Sequence, residues 1–278
     1  MYPRLFSIGP ITVYSYGLML GIGFMSASWV LMRELKRKGL DPNLSSNITV
    51  LAIVFGIAGS KILYLIENWE YFVKSPVTMA FSPGGLTWYG GFILATAAIW
   101  VYVRWWKKIP FLKICDATAP GLMLAYGIAR IGCHLAGDGD YGVPTDLPWG
   151  CVYANGTYPP SAAFREFPQI VSQYGVNGVV PDTIPVHPAP LYEFFYGVLL
   201  FYILWKVRLH FTIDGKLFMV YLMLSGVARI LVELVRINPR ILFGLTEAQL
   251  ISSAIVLIGL IGFQILSKTK DASLGAAR

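Results

Sequence analysis

Four ionisable side chains, Lys61, Arg130, Arg229 and Glu233, lie inside long apolar stretches of the sequence. A charge at the centre of a bilayer costs about 2.5–3.5 kcal/mol on insertion scales, so each needs a partner or a water-filled cavity. Arg229 and Glu233 have the spacing of a pair on one helix face, whereas Lys61 and Arg130 have no acid at such spacing. Structural pairing is one interpretation. The surplus of cations favours an anionic ligand, and in a bilayer the natural candidate is a lipid phosphate, which arginine binds bidentately.

The segment 130–142 contains more charged and reactive side chains than helix packing requires. The same segment contains several glycines. Two further glycine pairs, Gly84-Gly85 and Gly90-Gly91, lie on either side of Tyr89 in the sequence. Small residues let membrane helices approach closely, which is the structural interpretation. Interrupted helices beside a cavity are the functional interpretation, because bare backbone is tolerated in a membrane only where protein or water covers it. The functional residues of the segment are Arg130, Cys133, His134, Asp138 and Asp140.

The composition excludes an ordinary soluble domain. Hydrophobic residues make up 56% of the 278 and charged residues only 13%, against about 25% charged in soluble domains. The net charge of +7 is better explained by basic cytoplasmic loops than by nucleic-acid binding, which we do not expect because no basic stripe stands apart from the apolar runs. The three cysteines lack close pairing, so neither a disulfide nor a zinc framework is indicated.

The positioning elements are apolar segments of the length that a bilayer requires, about 20 residues in a helix. They predict an all-α integral membrane protein with about seven transmembrane helices and, since no polar linker separates two halves, a single transmembrane domain over residues 1–278. The predicted spans are 12–32, 48–66, 86–106, 117–136, 189–205, 217–235 and 247–267.

The loop charges test this count. Cytoplasmic loops of membrane proteins are enriched in Lys and Arg, and the basic residues alternate in phase with the proposed spans, which predicts an outside N-terminus and a cytoplasmic C-terminus. The side assigned to the cytoplasm has Arg33, Lys36, Arg37, Lys38, Arg104, Lys107, Lys108, Lys113, Lys206, Arg208, Lys216, Lys268, Lys270 and Arg278. The opposite side has Arg4, Lys74, Arg165, Arg236 and Arg240.

The longest connection, residues 137–188, falls on the outer side. It is rich in Gly, Pro, Asp and aromatic residues, and Val143–Trp149 has the composition of turns. A connection of this length without a clear element of its own is usually functional or disordered. Its aromatic content favours an ordered cap on the outer face, within the transmembrane domain.

Six sequence elements occur in order from about residue 6 to 265 and together cover nearly the whole chain. The elements are Phe6-Ser-Ile-Gly-Pro10 followed by Tyr16-Gly-Leu-Met19, Gly84-Gly-Leu-Thr-Trp-Tyr-Gly-Gly91, Ala129-Arg-Ile-Gly132 through Gly142, Val186-His-Pro-Ala-Pro-Leu-Tyr-Glu193, Val227-Ala-Arg-Ile-Leu-Val-Glu233, and Gln249 near the last span. In this order they resemble the elements of the prolipoprotein diacylglyceryl transferase family.

The resemblance implies an enzyme of the bacterial cytoplasmic (inner) membrane with two partners, phosphatidylglycerol and a secreted preprolipoprotein. The diacylglyceryl group would move to the thiol of the lipobox cysteine, forming a thioether and releasing glycerol phosphate. Arg130 and Arg229 would bind the phosphate and stabilise its growing charge, and Glu193 and Glu233 would orient the arginines or the headgroup. We expect no cofactor and no metal. The implied substrate-binding residues are Tyr16, Lys61, Gly90, Gly91, Gly132, Gly142, Tyr192, Glu193 and Gln249.

The sequence departs from the family pattern at the step that would activate the thiol. The commoner pattern has a His where this chain has Tyr89, and an Asn where it has Cys133; the following segment has an extra residue and two acids. A tyrosine with a pKa near 10 is a poor base at neutral pH unless cations lower that pKa. His134 and His187 are alternative bases, and a thiol with a pKa of about 8.5 needs little activation.

Several further interpretations remain open. Broken helices and intramembrane arginines also occur in anion transporters, although such proteins commonly have inverted repeats and the two arginine helices here share only Ala-Arg-Ile. A non-enzymatic anionic-lipid binding protein, or a transferase with a different acceptor, fits the same arginines. Cys133 as a nucleophile with His134 as its base would need a broken helix, because adjacent residues diverge by about 100°.

Overall fold

The computed structural model describes residues 1–9, 11–82 and 84–275, and within them it is mostly helical. Pro10 and Arg278, used above in the first motif and in the loop charges, lie outside the described residues. The described α-helices are α1 (Ser15–Arg37), α2 (Leu44–Glu67), α3 (Trp69–Lys74), α4 (Pro76–Phe81), α5 (Trp88–Val101), α6 (Phe111–Ala136), α7 (Pro160–Ala163), α8 (Pro168–Tyr174), α9 (Ala189–Val207), α10 (Lys216–Val232) and α11 (Glu247–Gly275).

Four of the described helices are long and apolar enough to cross a membrane: α1, α2, α9 and the part of α11 from Glu247 to Lys268. Helices of this length and composition fit a membrane protein. The other three predicted spans also coincide with helices. Helix α5 has only 14 residues before a π-helical turn at Tyr102–Trp106, and α10 has 17. Helix α6 has 26 residues but includes Pro120, glycines and several polar side chains, which dilute its apolar character.

The described residues pack into two compact units. One is formed by Met1–Ala27 and the chain from Thr118 onward, and the other by Ser28–Ala117. In the second unit the backbones of α2 and α5 are in direct contact. A Cβ on Gly59 would lie 2.3 Å from the carbonyl oxygen of Gly90, and a Cβ on Gly91 would lie 2.7 Å from that of Gly56. Close approach of this kind requires glycine at the crossing point.

The first unit contains α9, α10, α11 and most of α6. Its helix core is built from Met123, Leu200, Leu204 and Leu217. Helices α6 and α9 approach closely at Gly127 and Gly197, since a Cβ on Gly197 would lie 2.9 Å from the Cα of Gly127. Arg130 lies on α6 and Arg229 after the middle of α10, and this packing determines which side chains they meet.

Three two-stranded antiparallel sheets, which the all-α prediction did not include, flank the helices. The first turns at Gly9, whose φ of +58° favours glycine. It occupies residues predicted to begin the first span, so α1 begins at Ser15 rather than at residue 12. The β-branched Ile11, Thr12 and Val13 favour this extended backbone. The strands are β1 (Arg4–Ile8), β2 (Ile11–Tyr14), β3 (Cys151–Val152), β4 (Pro185–Val186), β5 (Arg240–Leu242) and β6 (Leu245–Thr246).

The segment 137–188 folds around its own buried core. It contains β3, α7, α8 and β4, elements that its sequence did not suggest. Strands β3 and β4 pair antiparallel, with Cys151 opposite Val186. The buried core residues are Tyr141, Tyr153, Ala163, Phe164, Ile170, Val180 and Val186.

Candidate active site

Glu193 lies at the centre of a buried ion cluster in the first unit. It belongs to the start of α9, which begins after Pro188 and has Pro190 in its first turn, positions that proline tolerates. Its side chain is 0% exposed. The carboxylate lies 3.2 Å from Arg130 Nε, 2.9 Å from Arg229 Nη1 and 3.4 Å from Arg236 Nη1. One buried acid therefore holds three arginines that come from distant parts of the chain.

Arg130 is placed by the last turns of α6. Its Nη1 contacts Asp140 Oδ2 and its guanidinium lies 5.0 Å from the ring centroid of Tyr126, one helical turn earlier. The Tyr126 hydroxyl donates to Glu193 Oε1 at 2.8 Å and lies 2.7 Å from the Tyr196 hydroxyl. The aromatic face and the two acids fix the plane of the guanidinium, as arginine recognition of a planar oxyanion requires.

Arg229 and Glu233 pair along α10 as their spacing predicted. Arg229 Nη2 lies 3.1 Å from Glu233 Oε2, and Asn238 Nδ2 donates to Glu233 Oε1 at 2.6 Å. Because Arg229 Nη1 also binds Glu193, the guanidinium is shared between an acid on its own helix and one on α9. The Arg229–Glu233 pair that the sequence predicted is therefore one part of a larger ion cluster.

Arg236 is a member of the cluster that sequence reasoning missed, because it was counted as a loop charge. Its side chain is only 7% exposed. It contacts Asp140 through Nη2 and the Asp140 carbonyl oxygen through Nη1 at 3.0 Å. Among the described residues, neither Arg236 Nε nor Glu233 Oε2 makes a hydrogen bond. Glu233 Oε2 is within ion-pair distance of Arg229 Nη2, at 3.1 Å, and of Arg236 Nε, at 3.8 Å. A signal was available: Arg236 follows Glu233 by three residues and Arg229 by seven, which places all three on one face if the helical path continues.

Backbone pairing positions Asp140. Gly142 N donates to His187 O at 2.8 Å, His187 N to Val143 O at 3.0 Å, and Val143 N to Val235 O at 2.8 Å. A Cβ on Gly142 would lie 2.2 Å from Val235 O, so this close approach requires glycine. Gly142, predicted as a substrate-binding residue, thus allows the loop to pack against the segment after α10 that contains Arg236.

Asp140 stays ionised under all ordinary conditions. Burial by itself would raise its pKa, but Arg236 and Arg130 outweigh burial and hold the pKa at about 2. Since the unfolded value is about 3.9, the resulting stabilisation is present above that pH and is lost as pH falls toward 2. Its neighbour Asp138 is more exposed, but partial desolvation and the nearby Asp140 charge shift its pKa in the opposite direction, upward.

The two candidate histidines each bind a tyrosine hydroxyl through Nδ1. His134 lies 2.9 Å from the buried Tyr153, and His187 lies 3.1 Å from Tyr192. The Tyr192 hydroxyl also accepts from Trp149 Nε1 at 2.9 Å. Burial lowers the pKa of His187, which keeps its imidazole neutral at neutral pH.

Three other predicted residues of the first unit have defined local roles. Gly132 lies against Tyr16, because a Cβ there would be 3.1 Å from the Tyr16 Cα; Tyr16 is 44% exposed. Gln249 caps α11: its Oε1 accepts from Thr246 N at 3.1 Å and its N donates to Thr246 Oγ1 at 3.3 Å. This reciprocal pair is a capping box, so the Gln249 side chain supports a helix start rather than projecting freely.

The remaining predicted residues belong to the second unit. Lys61 Nζ donates to Ser82 O at 2.9 Å, Ser82 Oγ at 3.0 Å and Gly84 O at 2.7 Å. All three of its donors therefore hold the turn that precedes α5. Tyr89, in the first turn of α5, is 41% exposed and meets Trp88 edge to face at 5.4 Å. Gly90 and Gly91 are the close-packing positions described above.

The described residues include one group with the geometry of a metal site, formed by Cys133, Asp138 and Asp140, whose ligand atoms lie within 4.8 Å of one another. The chemistry of this group does not fit a cation well. Both Asp140 oxygens are already engaged by Arg130 and Arg236, and two fixed guanidinium charges beside the group oppose a further positive ion. The cluster as a whole is suited to an anion.

Comparison with known proteins places this chain in a family. The sequence profile described as prolipoprotein diacylglyceryl transferase matches residues 3–265. Relatives named phosphatidylglycerol--prolipoprotein diacylglyceryl transferase include one from Clostridium tetani, 31% identical over 95% of this chain and 98% of its own length. Another, from Dehalococcoides mccartyi, is 33% identical over 91% and 89%, and one from Corynebacterium efficiens is 30% identical over 95% and 81%. The profile match spans nearly the whole chain, which confirms the resemblance seen in the motifs: this protein belongs to the prolipoprotein diacylglyceryl transferase family of transferases.

Proposed function

We propose that this protein transfers the diacylglyceryl group of phosphatidylglycerol to the thiol of a lipobox cysteine in secreted preprolipoproteins. The observation that supports this most directly is the cluster of Arg130, Arg229 and Arg236 around the fully buried Glu193. Three arginines held in fixed orientations suit a phosphate oxyanion, which guanidinium groups bind through paired hydrogen bonds. The names of the relatives supply the donor lipid and the acceptor class.

The reaction moves negative charge onto the phosphate. The cysteine sulfur forms a C–S bond with the terminal glyceryl carbon of the diacylglyceryl group, the C–O bond to phosphate breaks, and the thiol proton leaves to a base or to water. The phosphodiester of the donor has one negative charge, and the glycerol phosphate product approaches two at neutral pH because its second pKa is about 6. Fixed cations aimed at the leaving phosphate are therefore the main source of catalysis.

The two groups of residues divide this work. Arg130 and Arg229 bind the leaving phosphate, and Glu193 and Glu233 hold them in position. The side chains of Glu193 and Glu233 are 0% exposed, whereas those of Arg130 and Arg229 are 22% and 23% exposed. In each arginine–glutamate pair, the arginine is therefore the partner that a ligand can reach. A ligand that reaches the cluster meets guanidinium groups before it meets the central carboxylates.

The thiol of the acceptor cysteine is activated by hydrogen bonding rather than by a strong general base. Tyr89 stands where the family pattern has a His, and we assign to it a hydrogen bond that positions the thiol or the lipid. His134 and His187 each have Nδ1 engaged by a tyrosine hydroxyl, so Nε2 is the nitrogen left for any proton transfer. A thiol with a pKa of about 8.5 supplies thiolate without a strong base.

The proposed setting is the bacterial cytoplasmic membrane, crossed seven times, with the N-terminus outside, the C-terminus in the cytoplasm and the segment 137–188 as a cap on the outer face. This topology is supported by the basic residues of the predicted cytoplasmic loops. It places the cap segment, and with it Asp140, on the side where a secreted preprotein emerges.

The deciding experiment is mass spectrometry of reporter lipoproteins in a bacterial strain that depends on this gene alone. The expected result is a diacylglyceryl thioether on the lipobox cysteine. Reporters in which that cysteine is replaced by serine serve as the matched control and are expected to remain unmodified. An unmodified cysteine despite folded, membrane-inserted protein would favour a different acceptor, and bound lipid without any glycerol phosphate release would favour a binding or transport protein.

A further inference from the structure

Asp140 bridges two arginines with one carboxylate. Its Oδ2 contacts Arg130 Nη1 and its Oδ1 contacts Arg236 Nη2, so each oxygen serves one guanidinium. Both arginines are held independently by Glu193, at 3.2 Å and 3.4 Å. Removing the Asp140 carboxylate would therefore free one donor on each arginine without releasing either arginine from the cluster.

Charge balance makes such an exchange necessary. Among the described residues that these ion pairs join, the charges of Arg130, Arg229 and Arg236 are matched by those of Asp140, Glu193 and Glu233. Asp138, beside Asp140, adds no cation. A neutral cluster has no surplus cation for an added phosphate, and adding an anion to a partly buried site is costly unless a compensating charge leaves.

Asp140 is the acid that can leave. Its side chain is 31% exposed, whereas those of Glu193 and Glu233 are 0% exposed. Its backbone is held at its own carbonyl, where Asp140 O accepts from Arg236 Nη1, and two residues later, where Gly142 N donates to His187 O. With the main chain tethered, the carboxylate leaves by rotation about its side-chain bonds rather than by opening of the loop.

We propose that Asp140 is a displaceable counter-ion, whose carboxylate occupies the position between Arg130 and Arg236 that one edge of the donor lipid's phosphodiester takes when the phosphate binds to the three arginines. This inference rests on the proposed function. The exchange conserves charge, because a phosphodiester has one negative charge shared by two non-bridging oxygens, as a carboxylate has. Asp140 thereby acts as a specificity-determining residue, since a phosphodiester without a headgroup cation replaces the full charge that Asp140 removes.

The same exchange assists product release. Glycerol phosphate has more charge than the donor at neutral pH and would be held strongly by three arginines. Return of the Asp140 carboxylate supplies a competing anion tethered beside the site, at a high effective concentration. Asp140 therefore weakens donor binding and product binding alike.

Equilibrium binding to the purified full-length chain in nonionic detergent tests the exchange. The probes are short-chain phosphatidylglycerol, short-chain phosphatidylcholine and free glycerol phosphate. Asp140→Asn is expected to bind phosphatidylglycerol and glycerol phosphate about tenfold more tightly than the wild type, consistent with the loss of competing charge-assisted hydrogen bonds. Tightening for glycerol phosphate alone would show a free-phosphate site rather than a lipid headgroup site and would overturn the proposal.

The matched control is Asp146→Asn, which removes an equal charge from an exposed position of the same segment. It is expected to keep wild-type affinities, and Asp140→Glu is expected to restore most of the competition. In turnover assays Asp140→Asn should lower KM for phosphatidylglycerol and also lower kcat, with stronger inhibition by glycerol phosphate. If Asp140 only braces the arginines, Asp140→Asn weakens binding and raises KM, and that result would overturn the proposal.

A measurement on the unsubstituted chain keeps the test valid if Asp140→Asn does not fold. Carbodiimide labelling of carboxylates, read by peptide mass spectrometry, reports whether Asp140 is released from its arginines. More label on Asp140 is expected with phosphatidylglycerol than with phosphatidylcholine, while Asp146 labels equally in both. Equal labelling of Asp140 would contradict the exchange. Neither binding nor labelling requires thioether formation, so failure of the proposed function is distinguished from failure of this inference.

Discussion

The Glu193 carboxylate lies 2.9 Å from Nη1 of Arg229, a residue on a different helix, and is fully buried. A buried carboxylate is stable only when paired and hydrogen-bonded, and Glu193 satisfies this with three arginines and the Tyr126 hydroxyl. The acid therefore determines the spacing of the cations that face the ligand.

Glu193→Gln is expected to destabilise the protein strongly. It leaves the buried arginines without their shared counter-ion, and breaking a buried ion pair from one side typically costs about 3–5 kcal/mol. The measurement is the thermal unfolding midpoint of the purified protein in detergent. Glu166→Gln, at an exposed position, is the control and should leave the midpoint unchanged. Equal midpoints for the two variants would show that the cluster does not depend on Glu193.

Arg130 and Arg229 are expected to be required for turnover. Lysine at either site keeps the charge but loses the planar pair of donors, so Arg130→Lys and Arg229→Lys should reduce kcat/KM substantially, and alanine should reduce it by about 10²–10³. The assay is glycerol phosphate release, with Arg165→Lys as the exposed control. Near-native activity of both alanine variants would refute phosphate binding by these arginines.

The donor headgroup should matter in the same assay. Phosphatidylglycerol presents an anionic phosphodiester without a cation of its own, whereas the phosphodiester of phosphatidylethanolamine is already paired with its own ammonium and competes less well for the arginines. With a thiol-bearing peptide as acceptor, phosphatidylethanolamine is expected to be turned over much more slowly. Both lipids are supplied with identical acyl chains, so that the headgroup is the one variable. Equal rates would remove the electrostatic basis of donor choice.

Tyr89→Phe is expected to cost about tenfold in rate, the loss of one hydrogen bond of about 1–2 kcal/mol. A general base would cost about 10²–10⁴. The pH–rate profile separates these cases once the ionisation of the acceptor thiol is measured independently: a positioning residue lowers the curve without moving its midpoint.

Tyr71→Phe is the control for Tyr89, because Tyr71 is exposed in the same unit. The contrary result is a Tyr89→Phe enzyme that loses the basic limb of the profile while His134→Ala and His187→Ala remain active. That combination would identify Tyr89 as the base.

The proposed topology is tested by cysteine accessibility. In a background without the native cysteines, Lys270→Cys should react only with reagents that reach the cytoplasm, and Asn155→Cys with reagents that stay outside. The basic residues of the predicted cytoplasmic loops are the reason for this expectation. Labelling of both positions from the same side would exclude the seven-span arrangement.

Local spacing in the sequence was sufficient to predict the family, the helical membrane architecture and the Arg229–Glu233 pair. Motif order needs no three-dimensional information, apolar runs report on the bilayer directly, and an i,i+4 pair is set by the geometry of one helix. The family is confirmed by the profile match, and the pair by its 3.1 Å separation.

The tertiary structure alone showed that Asp140 and Arg236, 96 positions apart, belong to one cluster with Glu193. No periodicity links such positions, because they meet through backbone pairing of Gly142 and Val143 with distant segments. It also showed that Lys61 and Gln249 use their polar atoms on nearby turns. A sequence lists the donors and acceptors, but which of them meet depends on how the helices and loops pack, and here that packing joins three arginines to one buried acid.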